Sequence, residues 1–175
     1  MMKFTTGLKF AAVAALILVA GCTTKPTAST EAPPVAAPEQ SMSAPVSQSN
    51  IIPGSAEDLR VNVGDTVRFD YDRYDLRDED RSTLQRQSAW LQKYPSVRVS
   101  IEGHCDERGT REYNLALGAR RANAVKEYLV SLGVSSGRVD TISYGKERPV
   151  CTESSEDCWA QNRRGVTVIT AGASS

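Results

Sequence analysis

Apolar positions in the second two thirds of the chain recur with two different periods. Thr66-Val-Arg-Phe69 is a short strand candidate. From Asp78 to Tyr94 the spacing turns helical: Leu84, Leu91 and Tyr94 fall on one face, and Pro95 ends the segment. Val97-Arg-Val-Ser-Ile101 alternates, as a strand with one buried face does. Gly103 to Gly109 reads as a loop. Arg111 to Leu132 is the clearest helix, with Gly118, Ala122, Val125, Leu129 and Leu132 at spacings of four and three and Gly133 as its stop. Val139 to Tyr144 is a strand, with Ile142 and Tyr144 facing inward or toward a partner. Gly145 to Arg164 is a long irregular connection with a short helix around Trp159, and Val166-Thr-Val-Ile-Thr170 is the last strand. The order β-α-β-α-β-(short α)-β predicts an α/β fold, an α+β sandwich with helices packed on one mixed sheet.

The pattern before Ile51 is different. Lys3 and Lys9 precede an uncharged run of 11 residues, Phe10 to Ala20. A bilayer-spanning helix needs about 20 apolar residues, so the run suits a signal-peptide core instead. It ends in Val19-Ala20-Gly21-Cys22, which resembles the lipobox of bacterial lipoproteins. That resemblance implies removal of residues 1–21, lipidation at Cys22 and anchoring in membrane lipid. Thr23, rather than Asp, after the Cys favours the outer membrane with the domain in the periplasm. An ordinary secretory signal with a chance Cys is the alternative. Residues 23–50 hold five of the chain's eight Pro and no aromatic. Such a stretch cannot offset its ordering entropy and is expected to be a disordered tether. In polyproline II form it would reach about 85 Å, although a mere spacer fits the composition equally well.

Composition narrows the function. The 175 residues carry 21 basic and 21 acidic side chains. Zero net charge argues against sequence-independent nucleic-acid binding, which needs a basic surplus on one face. One His rules out a multi-His metal site, and no cofactor motif is present. Residues 51–170 are expected to form one domain, with 171–175 a loose tail.

Four pieces then stand out: Phe69-Asp-Tyr-Asp72, Gly103-His-Cys-Asp-Glu-Arg-Gly109, Tyr113-Asn114 through Asn123, and Asn162-Arg-Arg164. The ordered pattern GHxDxxG followed by YNxxLxxxRAxxV resembles the OmpA-like peptidoglycan-binding domain family over about 105 residues, Val67 to Thr170. The resemblance implies a non-enzymatic module that grips meso-diaminopimelate in wall stem peptides through Asp106 and Arg121. Asn114, Leu117, Tyr71 and Asp72 map to supporting contact positions. With a lipobox and tether, it further implies TolB and other Tol components as partners, and a role in envelope integrity and cell division. A structural lipoprotein outside the Tol system is the alternative within the family.

The residues also have a reading of their own. Asp106 sits in a glycine-flanked loop between a strand and a helix, where ligand contacts concentrate. Arg121 lies 15 positions later, too far for helix periodicity alone to bring them together. If they meet, a carboxylate and a guanidinium offer complementary grips for a zwitterion; otherwise they read as a surface salt bridge worth about 0–1 kcal/mol. Arg120 should be solvated, and Asn162-Arg163-Arg164 reads as a solvated edge, with a basic patch as the alternative. His104 is expected to be buried and hydrogen-bonded. Adjacent extended residues point to opposite sides, so His104 and Cys105 make a poor catalytic dyad, which weighs against a thiol-dependent wall enzyme. Cys105 reads as small, buried and unpaired. Cys151 and Cys158 flank a polar loop and, in an oxidising compartment, should form a disulfide. A metal site from these two and His104 would lack a usual fourth ligand.

Overall fold

A computed structural model describes residues 51–174. The expected signal peptide 1–21, Cys22 and the Pro-rich segment to Asn50 lie outside the described residues. A short helix α1 (Ala56–Asp58) runs into a π-helical turn (Leu59–Val63), neither of which the apolar pattern announced. Then follow β1 (Thr66–Arg68), α2 (Asp78–Lys93), β2 (Arg98–His104), α3 (Arg111–Ser131), β3 (Val139–Gly145), α4 (Glu156–Asn162) and β4 (Arg164–Ala171). The alternation expected from the sequence is present, and the helices pack on one mixed sheet of order β1-β4-β2-β3. β4 is antiparallel to both β1 and β2, whereas β2 and β3 are parallel.

The two long helices form because each presents an apolar stripe to that sheet. Leu84 and Leu91 of α2 and Ala122, Val125 and Leu129 of α3 are buried against Val99 and Ile101 of β2 and Val139 of β3 in one core. Burial of aliphatic side chains at about 1.5–3 kcal/mol each is the main stabilising contribution. The first turn of α2 carries Asp78, Glu79 and Asp80, which suit the positive end of the helix dipole. The Thr110 hydroxyl caps α3 by accepting from the Tyr113 N–H at 3.2 Å.

Several expectations change. Gly103 and His104 belong to β2 rather than to the following loop. Ile142 is exposed, on the edge strand, because only one face of the sheet is covered there; Tyr144 stacks on His104 instead, with ring centroids 5.5 Å apart. Ala171 closes β4, and the Ser174 N–H donates to the Gly54 carbonyl at 3.2 Å, so residues 171–174 are held rather than loose.

Candidate functional site

The loop that follows β2, the first three turns of α3 and the tip of the β1–α2 loop meet at one small cavity of about 160 Å³. Asp106, Arg121, Asn114, Leu117, Tyr71 and Asp72 all line it, so the six residues singled out in the sequence are brought together. Cys105 and Arg108 line it as well. Leu117 is buried, whereas Tyr71 is 60% exposed at the rim. Asp72 adopts φ 58°, uncommon for a residue with a β-carbon, and its carboxylate accepts from the Tyr113 hydroxyl. That contact raises the phenol's pKa above its ordinary value. It also fastens the β1–α2 loop to α3 across the cavity mouth.

Asp106 and Arg121 share the cavity but make no ion pair. Asp106 is instead paired with two other arginines. Its Oδ1 accepts from the Arg108 backbone N–H and Nε, both at 3.2 Å, and its Oδ2 accepts from Arg108 Nη2 at 2.5 Å and Arg163 Nη1 at 3.3 Å. Burial alone would raise the carboxyl pKa, but these donors, Arg108 foremost, hold it below the usual aspartate value. Arg121 is fully buried, with Nε, Nη1 and Nη2 donating to the carbonyls of Arg73, His104 and Asp70 at 2.8, 2.8 and 3.1 Å. It therefore ties the β1–α2 loop to the end of β2. Burial lowers its pKa from the ordinary arginine value. A guanidinium has five N–H donors, which leaves two beyond these three bonds.

Asn114 is buried, and its amide donates to the Arg108 and Thr110 carbonyls at 2.8 and 3.1 Å, shaping the loop that carries Asp106. Cys105 is buried and free, donating to the Asn114 carbonyl at 3.3 Å. Burial pushes its thiol up to about 11. Such a thiol is a poor nucleophile at neutral pH. His104 is buried, as expected, but not hydrogen-bonded: neither ring nitrogen has a partner. Its main-chain neighbours are committed to the sheet and to Arg121, and its ring is wedged against Tyr144. No hydrogen bond joins His104 to Cys105, so they form no catalytic dyad.

The expectation of a solvated edge at Asn162-Arg163-Arg164 is corrected, since all three are buried. Asn162 Oδ1 accepts from the Val150 N–H at 2.8 Å, and its amide donates to the Cys151 carbonyl at 2.7 Å. Arg163 Nε donates to the Phe69 carbonyl at 3.0 Å and its Nη2 to Glu156 at 2.6 Å. These residues lie where α4 meets β4, so the sheet and α4 enclose them. Arg120 is exposed, as expected.

Sequence reasoning missed Arg108, Glu156 and Trp159. Arg108 lies between the rings of Tyr71 and Trp159, 4.0 Å from each centroid. The available signal was a lone Trp in a short helix, whose indole N–H donates to Glu107 at 3.2 Å. The expected disulfide joins Cys151 and Cys158 and closes the loop that leads into this helix.

Comparisons with known proteins agree with the fold. A family model described as the OmpA family matches residues 68–163. The peptidoglycan-associated lipoprotein of Rhizobium meliloti (strain 1021) is 59% identical over 117 residues, which are 67% of this chain and 66% of that protein. The one from Mesorhizobium japonicum is 55% identical over 122 residues, 70% of this chain and 73% of that protein. The chain thus spans just under two thirds of the length of the Rhizobium relative. Among solved structures, the crystal structure of the peptidoglycan-associated lipoprotein from Burkholderia pseudomallei superposes with a TM-score of 0.59 at 43% identity, covering 61% of this chain and 90% of that one. The cell wall anchor of the T6SS from Pseudomonas aeruginosa gives a TM-score of 0.52 at 30% identity, covering 61% and 80%. The family match covers more than half of the sequence and takes in the Gly103–Gly109 loop and the helix beside it: the chain belongs to the OmpA family.

Proposed function

We propose that this protein is a non-enzymatic anchor of the bacterial envelope: an outer-membrane lipoprotein, attached through Cys22, whose domain binds peptidoglycan in the periplasm. The observation that carries the reading is the cavity itself, in which an aspartate and an arginine face one small volume lined by Leu117. That pairing suits a zwitterionic amino-acid end, and the related proteins are named for peptidoglycan association. The ligand is meso-diaminopimelate, whose far carbon bears both an ammonium and a carboxylate. Asp106 accepts from the ammonium; Arg121 offers its remaining donors to the carboxylate. Asn114, Leu117, Tyr71 and Asp72 shape the walls. Membership in the Tol-Pal system, with TolB and other Tol components as partners and a part in envelope integrity and division, completes the proposal. The buried, unactivated Cys105 supports binding without cleavage.

Calorimetric titration of the purified chain with two muropeptides tests this, one ending in meso-diaminopimelate and one in Lys. Saturable binding of the first alone, lost in Asp106→Ala and weakened in Arg121→Lys with no product formed, is expected. No binding of either peptide, or turnover, overturns it. Titration with TolB tests the Tol partnership separately.

A further inference from the structure

Three guanidinium groups surround Asp106, and they are not equivalent. Arg121 is fastened to three backbone carbonyls. Arg163 is fastened to the Phe69 carbonyl and to Glu156 as well as to Asp106. Every hydrogen bond from the Arg108 side chain goes to Asp106. Beyond these it has only Glu156, at 3.8 Å, and the faces of Tyr71 and Trp159. Its side chain is 28% exposed, against 7% for Arg163. Arg108 therefore fills the place that a ligand's ammonium would take.

We propose that Arg108 is the specificity-determining residue of this pocket: it occupies Asp106 in the empty state, and only a ligand that brings a carboxylate beside its ammonium gives Arg108 a replacement partner. The inference rests on the binding function proposed above and deepens it. An ammonium that takes Asp106 strips Arg108 of its two charge-assisted bonds and leaves a cation next to a cation. A plain amine, such as the end of a Lys side chain, provides nothing to offset that. A zwitterionic carbon does, because its carboxylate can accept the planar fork of the freed guanidinium, the geometry in which arginine binds carboxylates best. The Tyr71 and Trp159 rings each stand 4.0 Å from the guanidinium carbon and hold it by cation–π attraction, so the freed group stays at the mouth of the cavity. Selectivity thus comes from an internal competitor as much as from an attractive contact.

The test compares the unaltered chain with Arg108→Gln and Arg108→Lys by calorimetry, using the same diaminopimelate and Lys muropeptides. Arg108→Gln removes both the competitor and one of the two arginines offered to the ligand's carboxylate, leaving Arg121. Binding of the diaminopimelate peptide should weaken by about tenfold or more, while the Lys peptide gains saturable binding that the unaltered chain lacks. The two affinities then converge to within about tenfold. Arg108→Lys keeps the charge but loses the fork, and should fall between. A purely structural role would weaken both peptides together and leave their ratio intact. An Arg108→Gln chain that is folded by its thermal melt and still rejects the Lys peptide overturns the inference. Failure of the unaltered chain to bind the diaminopimelate peptide overturns the binding function itself and this inference with it, so the two failures are told apart by the control arm.

Discussion

Gly103 of β2 and Gly118 of α3 meet backbone to backbone: a β-carbon built on Gly103 would lie 1.9 Å from the Gly118 carbonyl oxygen. One built on Gly118 would lie 2.3 Å from the Ser143 hydroxyl and 2.9 Å from the Gly103 carbonyl. The three atoms nearest a β-carbon on Gly103 are all backbone atoms of Gly118, so no flexible side chain can give way there. This contact sets how closely the helix that carries Asn114, Leu117 and Arg121 sits on the strand that leads to Asp106. Gly103→Ala should push α3 off the sheet and destabilise the fold by about 3 kcal/mol or more, at the upper end of the overpacking range. Urea unfolding followed by far-UV circular dichroism reads this, and an unchanged midpoint would refute the close-contact account.

The second relationship is remote from the cavity. Asp58 accepts from the Gly54 N–H at 2.8 Å, from Asn62 Nδ2 at 2.8 Å and from the Trp90 indole N–H at 2.9 Å, joining the N-terminal turn to α2. Burial opposes its charge, but these three donors prevail and lower its pKa below the ordinary 3.8. Asp58→Ala should cost about 2–3 kcal/mol, because it leaves buried donors without an acceptor. The folded-state pKa is depressed, so the contribution is complete above pH 3.8 and fades as the pH falls through the folded value. Denaturation midpoints for the unaltered chain and Asp58→Ala should therefore differ fully near pH 6 and converge in strong acid. Parallel curves would exclude the charge as the cause.

How much of this was legible in the sequence depended on whether the signal was local. Helical and strand periodicity located α2, β2, α3 and β3 to within a few residues, because β2 alternates with Val99 and Ile101 buried and the two helices bury apolar residues at helical spacings, although β3 buries Val139 and leaves Ile142 exposed. The π-helical turn at Leu59–Val63 alternates apolar and polar residues, Leu-Arg-Val-Asn-Val, which is a strand period and not a helical one, yet Leu59 joins the core with Val63 packed against it. At the site, the ordered motif identified Asp106, Arg121 and their neighbours, which the fold then brings to one cavity. The partner of Asp106 was not legible. Arg163 reaches it from a position 57 residues away in sequence, and Arg108 from only two away; neither distance reveals a contact made by loop folding. Arg163 and Arg164 looked solvated because charge suggests exposure, but carbonyls and carboxylates inside the fold accept from them.

Reduction of the Cys151–Cys158 disulfide should loosen the wall that holds Arg108. The bridge spans seven positions and leads into α4, whose Trp159 stacks on Arg108 and whose Glu156 binds Arg163. A loop of this size contributes about 2–3 kcal/mol through the unfolded chain. Thermal melts of the oxidised and reduced chain, and of Cys151→Ser with Cys158→Ser, should show that loss. Trp159 amides and the indole N–H should also exchange faster with solvent than those of α2, which the bridge does not touch. A uniform change across both helices would mean that the bridge acts on the unfolded chain alone.

His104 is the chain's one histidine, so its titration can be followed without overlap. Its ring is buried with both nitrogens unpartnered, and burial first, then the charges of Arg164 and Arg148, lowers its pKa to about 4. Glu102 stands 3.5 Å from Nε2 and could partner a protonated ring, but it does not outweigh those effects. The unfolded chain takes up this proton near pH 6.5 and the folded chain only near pH 4. Stability should therefore rise with pH across that window, by on the order of 3 kcal/mol for a shift of this size. In the nuclear magnetic resonance spectrum the imidazole carbon-bound protons should stay at their neutral positions from pH 8 down to about pH 5. His104→Asn should flatten the rise in unfolding midpoint between pH 4 and pH 6.5 while leaving the acid loss from Asp58 in place. An imidazole that titrates near 6.5 in the folded chain would show that the ring has a solvent path or a hydrogen-bond acceptor, and would remove the basis for the pH-dependent loss.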